Sequence, residues 1–281
     1  MTDGKRPRRP RRTRRPRGAA TPAAETVSRG RAARFAARIA VVFRRAGEVQ
    51  QALQIAGNLG DAEGAEAGDL LELAELCLAA DQPATAHRLL EAAVREDPTS
   101  ARATEMLAES HVAGGAPEAA LAALEPLYHR GALRPTGLSV LAMAYERLGR
   151  PDAAYRVAVR YAQAVPLDPY GHFRLAVLEQ RAGAAGRAMA RYQLAFELSG
   201  DDDGVREAAR DSIRTLDAIQ LQQITALAAA SPLFRLRLKH NAADALDHHG
   251  FSLTDQGRAM LSTVDLDDLA EFAPSSRHVG H

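Results

Sequence analysis

Tryptophan is absent, cysteine occurs once, at Cys77, and aromatic residues make up only 5% of the 281-residue chain. A single cysteine excludes a disulfide framework within the chain and agrees with a reducing compartment. Long apolar runs are missing too. The most apolar early stretch, Phe35 to Phe43, is interrupted by Arg38, far short of the roughly 20 residues that span a bilayer. The basic N-terminal run leads into Gly18, Ala19, Ala20, Thr21 and Pro22 rather than the apolar stretch an export or twin-arginine signal needs. The expected location is cytoplasmic. No Gly-rich phosphate loop, nucleophile elbow or helical pair of zinc ligands occurs, so neither catalysis nor a cofactor is expected. What is present, 46% hydrophobic and 25% charged residues, suits a soluble globular chain of one or two domains.

The formal charge of +1 conceals an asymmetry. Residues 1–17 hold nine of the 36 Lys and Arg against one acid, Asp3, leaving 27 bases and 34 acids for the remainder. The segment KRPRRPRRTRRPR (residues 5–17) combines like charge with three prolines, a composition that predicts disorder, and residues 1–32 are read as a basic arm. Arg8, Arg9, Arg11, Arg12, Arg14, Arg15 and Arg17 could neutralise phosphates of a nucleic acid or meet an acidic surface, including the acidic body of the same chain. No aromatic lies within the arm to stack on bases.

Residues 67–202 repeat at a period of 34 without a gap, in units beginning at Ala67, Ala101, Pro135 and Pro169. Places seven and eight hold Leu73-Ala74, Leu107-Ala108, Leu141-Ala142 and Leu175-Ala176; place twenty holds Ala86, Ala120, Ala154 and Ala188. Place fifteen holds Asp81, Gly115, Gly149 and Gly183, followed two residues on by Pro83, Pro117, Pro151 and Ala185. Each column has a physical reading. The Leu-Ala pair marks the inner stripe of a first helix, and the small residue at place twenty lets a second helix approach. Glycine can take the left-handed turn that ends the first helix, while proline suits the first turn of the second. Asp97-Pro98 and Asp168-Pro169 end units, because the residue before proline avoids helical geometry. The columns predict an all-α stack of helical hairpins. Moving the register back by 34 gives a degenerate unit over residues 33–66, with Ile39-Ala40, Phe43, Gly47 and Ala52 in the matching places. Moving it forward meets Ala209-Arg210, so residues 203–230 are read as a capping helix.

These motifs resemble the tetratricopeptide repeat (TPR) family, whose unit has Leu-Gly or Leu-Ala near its start, an aromatic four places on and Ala at place twenty. Tyr145 fills the aromatic place, whereas Cys77, His111 and Glu179 depart from it. On this inward stripe Cys77 is expected to be a buried structural thiol. The resemblance implies a solenoid whose groove, lined by places two, five, nine and twelve of the first helices, takes a protein or peptide partner. Here those places are Arg102, Glu105, Glu109 and Val112, then Thr136, Ser139, Met143 and Glu146, then Tyr170, Phe173, Val177 and Gln180. The alternative is that they pack against the capping helix or are merely solvated. Leu71 and Glu75 stand where the Lys and Asn clamp of chaperone-tail binders would begin, which disfavours that role.

After residue 230 the pattern changes. Ser231-Pro232 predicts a helix running to about His249 and closed by Gly250; Thr254 caps a second near Asp255 to Ser262, and Leu266, Leu269 and Phe272 mark a short third. Phe234, Leu238, Asn241, Ala245-Leu246, Gly250 and Leu253-Thr254 resemble the small helical module of aromatic-ring-opening dioxygenase small subunits and of nitrile-hydratase-like leader peptides. That resemblance implies that residues 231–273 dock a modifying enzyme and that the tail Ser275, Ser276, Arg277, His278, Val279, Gly280 and His281 is modified. An ordinary helical cap of the array is the alternative. His278 and His281 alone lack a fixed third ligand, so no metal site is expected. The primary expectation is a non-enzymatic adaptor that binds a protein in its groove. A substrate protein modified at its tail, and a nucleic-acid scaffold acting through the arm, are the alternatives.

Overall fold

The computed structural model describes residues 22–59, 62–201, 203–266 and 268. The arginines of the basic arm, residues 269–272 of the expected third C-terminal helix, and the tail from Ser275 to His281 lie outside the described residues. Fourteen helices and no strand occur among the described residues. They fall into two compact units, Met1–Ala103 and Thr104–His281.

In the first unit, α1 (Pro22–Arg45) and α2 (Val49–Asn58) form one hairpin and α3 (Ala67–Ala79) and α4 (Pro83–Glu96) the next. α1 begins at Pro22, so residues 22–32, assigned above to the arm, are helical. Their composition explains the difference: past Pro22 the segment has no further proline, and it is rich in alanine, the strongest helix former. Each hairpin turns where the columns require. Gly47 has φ of 85° and Asp81, lacking glycine's freedom, still adopts 55°. Pro83 occupies the first turn of α4. Between the helices lies a core of small and branched side chains: Ala40, Ala52, Leu70, Leu73, Ala74, Ala86 and Leu90 have essentially no exposure, and Cys77 joins them. Burial pushes the Cys77 thiol pKa up, as for an inert structural cysteine.

α5 (Ala101–Ala113), α6 (Pro117–His129), α7 (Pro135–Arg147), α8 (Pro151–Ala164), α9 (Pro169–Arg181) and α10 (Ala185–Leu198) continue the 34-residue order. Gly115, Gly149 and Gly183 have φ of 80°, 66° and 76°. Ala108, Leu124, Leu141, Ala154, Val157 and Leu175 share one continuous core in the second unit. Proline supplies the first turn of α6, α7, α8 and α9. Asp168 caps α9 by accepting from the amides of Tyr170 and Gly171.

α11 (Gly204–Ala230), capped by Asp203, has 27 residues and so extends about 40 Å. Its first half packs Ile213 and Leu216 on Ala176, Ala188, Met189 and Tyr192, and its second half carries Ile224 and Ala228 into a separate core with Phe234, Leu238, Leu246, Leu253 and Leu261. The single helix expected from residue 232 to about 249 is in fact two, α12 (Pro232–His240) and α13 (Ala242–His248). Asn241 breaks it, extended at φ −150° and ψ 92°, with its side chain accepting from the Asp244 amide. An asparagine that caps one turn on competes with continuing the helix. Gly250 follows α13 with φ of 73°, and α14 (Asp255–Ser262), capped by Thr254, closes the described module.

Candidate functional site

The groove places of α7 and α9 face one another across a pair of charges. The Arg174 guanidinium, with a side chain only 13% exposed, pairs with Glu146 and donates to the backbone carbonyl and hydroxyl of Ser139, each at 3.3 Å. The Tyr170 ring lies 5.7 Å from the same guanidinium. Around this pair Thr136 and Tyr170 are exposed, and Ser139, Met143 and Val177 are half-buried. The surface is thus mixed: apolar side chains flank a charge pair that needs no external partner.

Several candidates are committed elsewhere. Glu105, assigned to the groove from its place in the repeat, is buried to 2% exposure. Its carboxylate accepts from the Arg134 backbone amide and Nε, both at 2.8 Å, and from the Thr136 hydroxyl at 3.0 Å. It is a fastener between successive units and is not available to a partner. A Cβ on Gly137 would come within 2.7 Å of that carboxylate, so the glycine makes the room that draws Glu105 inward. Gln180 accepts from the Tyr192 hydroxyl at 2.7 Å. Phe173 meets the Tyr192 ring edge-on at 5.5 Å, and both Phe173 and Val177 pack on the cluster that includes α11 residues Ile213 and Leu216. Covering by the capping helix, the alternative above, therefore describes Phe173 and partly Val177. Glu109 is exposed. In the first unit, Arg102 pairs with Glu75.

Two further inter-hairpin fasteners escaped the repeat pattern. Tyr161 donates to Asp168 at 2.5 Å, and a Cβ on Gly171 would meet its ring at 2.6 Å. Burial, then the hydrogen bond to Asp168, pushes the Tyr161 phenol up to about 12. Tyr145 donates to Glu125 at 2.7 Å and is likewise raised to about 12, chiefly by burial. In the C-terminal module, Gln220 donates to the Ser252 carbonyl at 2.9 Å and accepts from the Ser252 amide at 2.7 Å. Asp217 accepts from the Thr254 amide at 3.0 Å and from its hydroxyl. Gly257 again leaves the space, since its Cβ would lie 2.8 Å from the Asp217 carboxylate. These buried polar groups pin the loop before α14 to α11. The available signal was a glycine about 10 to 40 residues after a bulky or acidic residue.

Among the described residues no cluster of three or more His, Cys, Asp or Glu could hold a metal ion, and no helix is long and apolar enough to cross a membrane.

Stacked antiparallel hairpins with a capped end define a helical-repeat protein. More particularly, residues 77–135 match the tetratricopeptide repeat model, and the fold is that of a TPR-like solenoid. A crystal structure of MamA is 20% identical, covering 57% of this chain and 94% of that one, with a TM-score of 0.51. MamA residues 41 to the end from Desulfovibrio magneticus RS-1 are 15% identical, covering 61% and 97%, with a TM-score of 0.51. The TPR protein TTC0263 from Thermus thermophilus is 20% identical, covering 64% and 98%, at 0.48. No curated protein matches the sequence.

Proposed function

We propose that the chain is a non-catalytic scaffold that holds a polypeptide partner along the α7 and α9 face. The observation that carries this reading is the exposed and half-buried set Thr136, Met143, Tyr170 and Val177 around an internally neutralised Arg174–Glu146 pair. Such a surface offers apolar contact without an unpaired buried charge, which suits a peptide with apolar side chains. Ser139 is fixed by Arg174 and contributes shape. Glu109, exposed on α5, adds a polar contact beyond that set.

The test places a photo-crosslinking amino acid at Met143 and, in a separate protein, at Arg156 on α8, each in the native host. Polypeptide adducts at Met143 that are absent at Arg156 support the groove. Equal adducts at both positions, or adducts at Arg156 alone, sink it.

A further inference from the structure

The first hairpin leaves exposed a face that is buried or half-buried in the later hairpins. Place three packs on the preceding hairpin in three repeats: Asp69 reaches Arg38 at 2.9 Å, Gly137 abuts Glu105, and Gly171 abuts the Tyr161 ring. Asp69, Ala103, Gly137 and Gly171 are all buried. At place ten, Ala144 and Leu178 are buried as well. In the first unit these two places are Phe35 and Val42, and they are 69% and 59% exposed. Two apolar side chains two helical turns apart therefore stand in water, at places that are buried or half-buried in every later repeat.

We infer that this face of α1 is where a second copy of the chain docks, α1 against α1 and antiparallel, about a two-fold axis. Three observations select a second copy. First, the stripe is self-complementary. When two antiparallel helices pair with the axis between residues 38 and 39, Phe35 meets Val42 of the other copy, a large side chain against a small one, and Val42 meets Phe35 in return, as an isologous contact requires. Secondly, the charge nearest the axis is already neutralised, since Arg38 pairs with its own Asp69 and lies 3.8 Å from Glu66. The two copies can approach there without an unpaired cation. Thirdly, the chain's own N-terminal residues are a poor cover, because residues 5–17 contain basic residues, Pro and Thr with no Leu, Ile, Val or Phe. α1 is also 24 residues long against 13 for α3, α5, α7 and α9, which supplies length for a helix pair.

Sedimentation equilibrium of the full chain tests the inference. A dimer is expected at about 100 μM, and the double substitution Phe35→Glu with Val42→Glu should weaken it about 100-fold or more, since it removes both apolar anchors. Leu236→Glu on α12, which alters an equally exposed leucine, should leave the dimer intact. Circular dichroism checks that the double variant keeps its helices. A second variant, Phe35→Cys with Val42→Cys, cannot close within one chain, because seven residues of helix separate the thiols by about 10 Å. Oxidation should give a covalent dimer whose peptide map joins position 35 of one copy to position 42 of the other through the introduced thiols. A monomeric wild type at that concentration, a dimer that survives the Glu pair, or oxidation without that linkage would each overturn the inference.

Discussion

Between residues 22 and 103, successive hairpins are joined mostly by guanidinium–carboxylate pairs that keep contact with water, the buried Asp69 paired with Arg38 being an exception, whereas between residues 104 and 266 the joints include carboxylates and phenols enclosed against glycine. Arg44 and Arg45 share Glu72, and Arg44 and Arg102 share Glu75, with side chains from 30% to 62% exposed. In the second unit Glu105 sits over Gly137, Tyr161 over Gly171 and Asp217 over Gly257. The same repeat thus tolerates two kinds of joint, and their energies differ in kind. Exposed ion pairs gain little and are screened by salt. An enclosed carboxylate is expensive to remove because several hydrogen bonds are lost at once and a void is left where it was packed.

The largest effect should come from Glu105→Ala. Removing the carboxylate leaves the Arg134 amide and Thr136 hydroxyl without it and opens a void beside Gly137, so urea unfolding should show a loss of about 3 kcal/mol. A loss below about 1 kcal/mol would mean that the enclosed joint is no stronger than the exposed kind. Next comes the alkaline limb. The phenols of Tyr145 and Tyr161 have folded-state pKa values raised to about 12, above the unfolded value near 10. Their contribution is fully present below about pH 10 and is lost as pH rises towards 12. Tyr145→Phe and Tyr161→Phe should each flatten this fall, by up to roughly 2–3 kcal/mol, measured by denaturant midpoints across that window. An unchanged slope in both variants would contradict it.

Gly171→Ala follows, at about 2 kcal/mol, since the new methyl must displace the Tyr161 ring. Combining it with Tyr161→Ala should be clearly non-additive in a double-mutant cycle, and simple additivity would deny the contact. The smallest effect belongs to the first unit. Glu72→Gln should cost no more than about 1 kcal/mol, and less at about 1 M salt. The hydrogen bond from Arg45 holds the Glu72 pKa below its ordinary value. Its contribution is therefore present above the ordinary glutamate range and is lost as pH falls through the lowered value. A salt-independent loss as large as that of Glu105→Ala would erase the distinction between the two joints.

Much of the fold was legible because the repeat writes backbone constraints directly into residue identity. Pro83, Pro117 and Pro151 open helices, and Gly115, Gly149 and Gly183 take positive φ. The same columns misplaced Glu105. A repeat register assigns side chains to faces as though each face were alike in every unit, but whether a glutamate turns to the groove or to the joint depends on the volume opposite it. That volume is set by Gly137, 32 residues later. The break at Asn241 was missed for a local reason, since helical periodicity continues through Leu238 and Leu246 while one asparagine side chain redirects the backbone. The α1 face was not legible, because only exposure distinguishes Phe35 from a buried residue at the same place.

Cys77 has no exposure and is the only thiol in the chain. In the intact first unit a sulfhydryl reagent has nothing to attack. Every labelling event therefore records a moment when α3 has parted from its neighbours. The rate of labelling against reagent concentration, with no engineered label, gives the free energy of that opening when reclosing is fast and its rate when reclosing is slow. The molecule carries its own stopwatch for the breathing of its N-terminal unit.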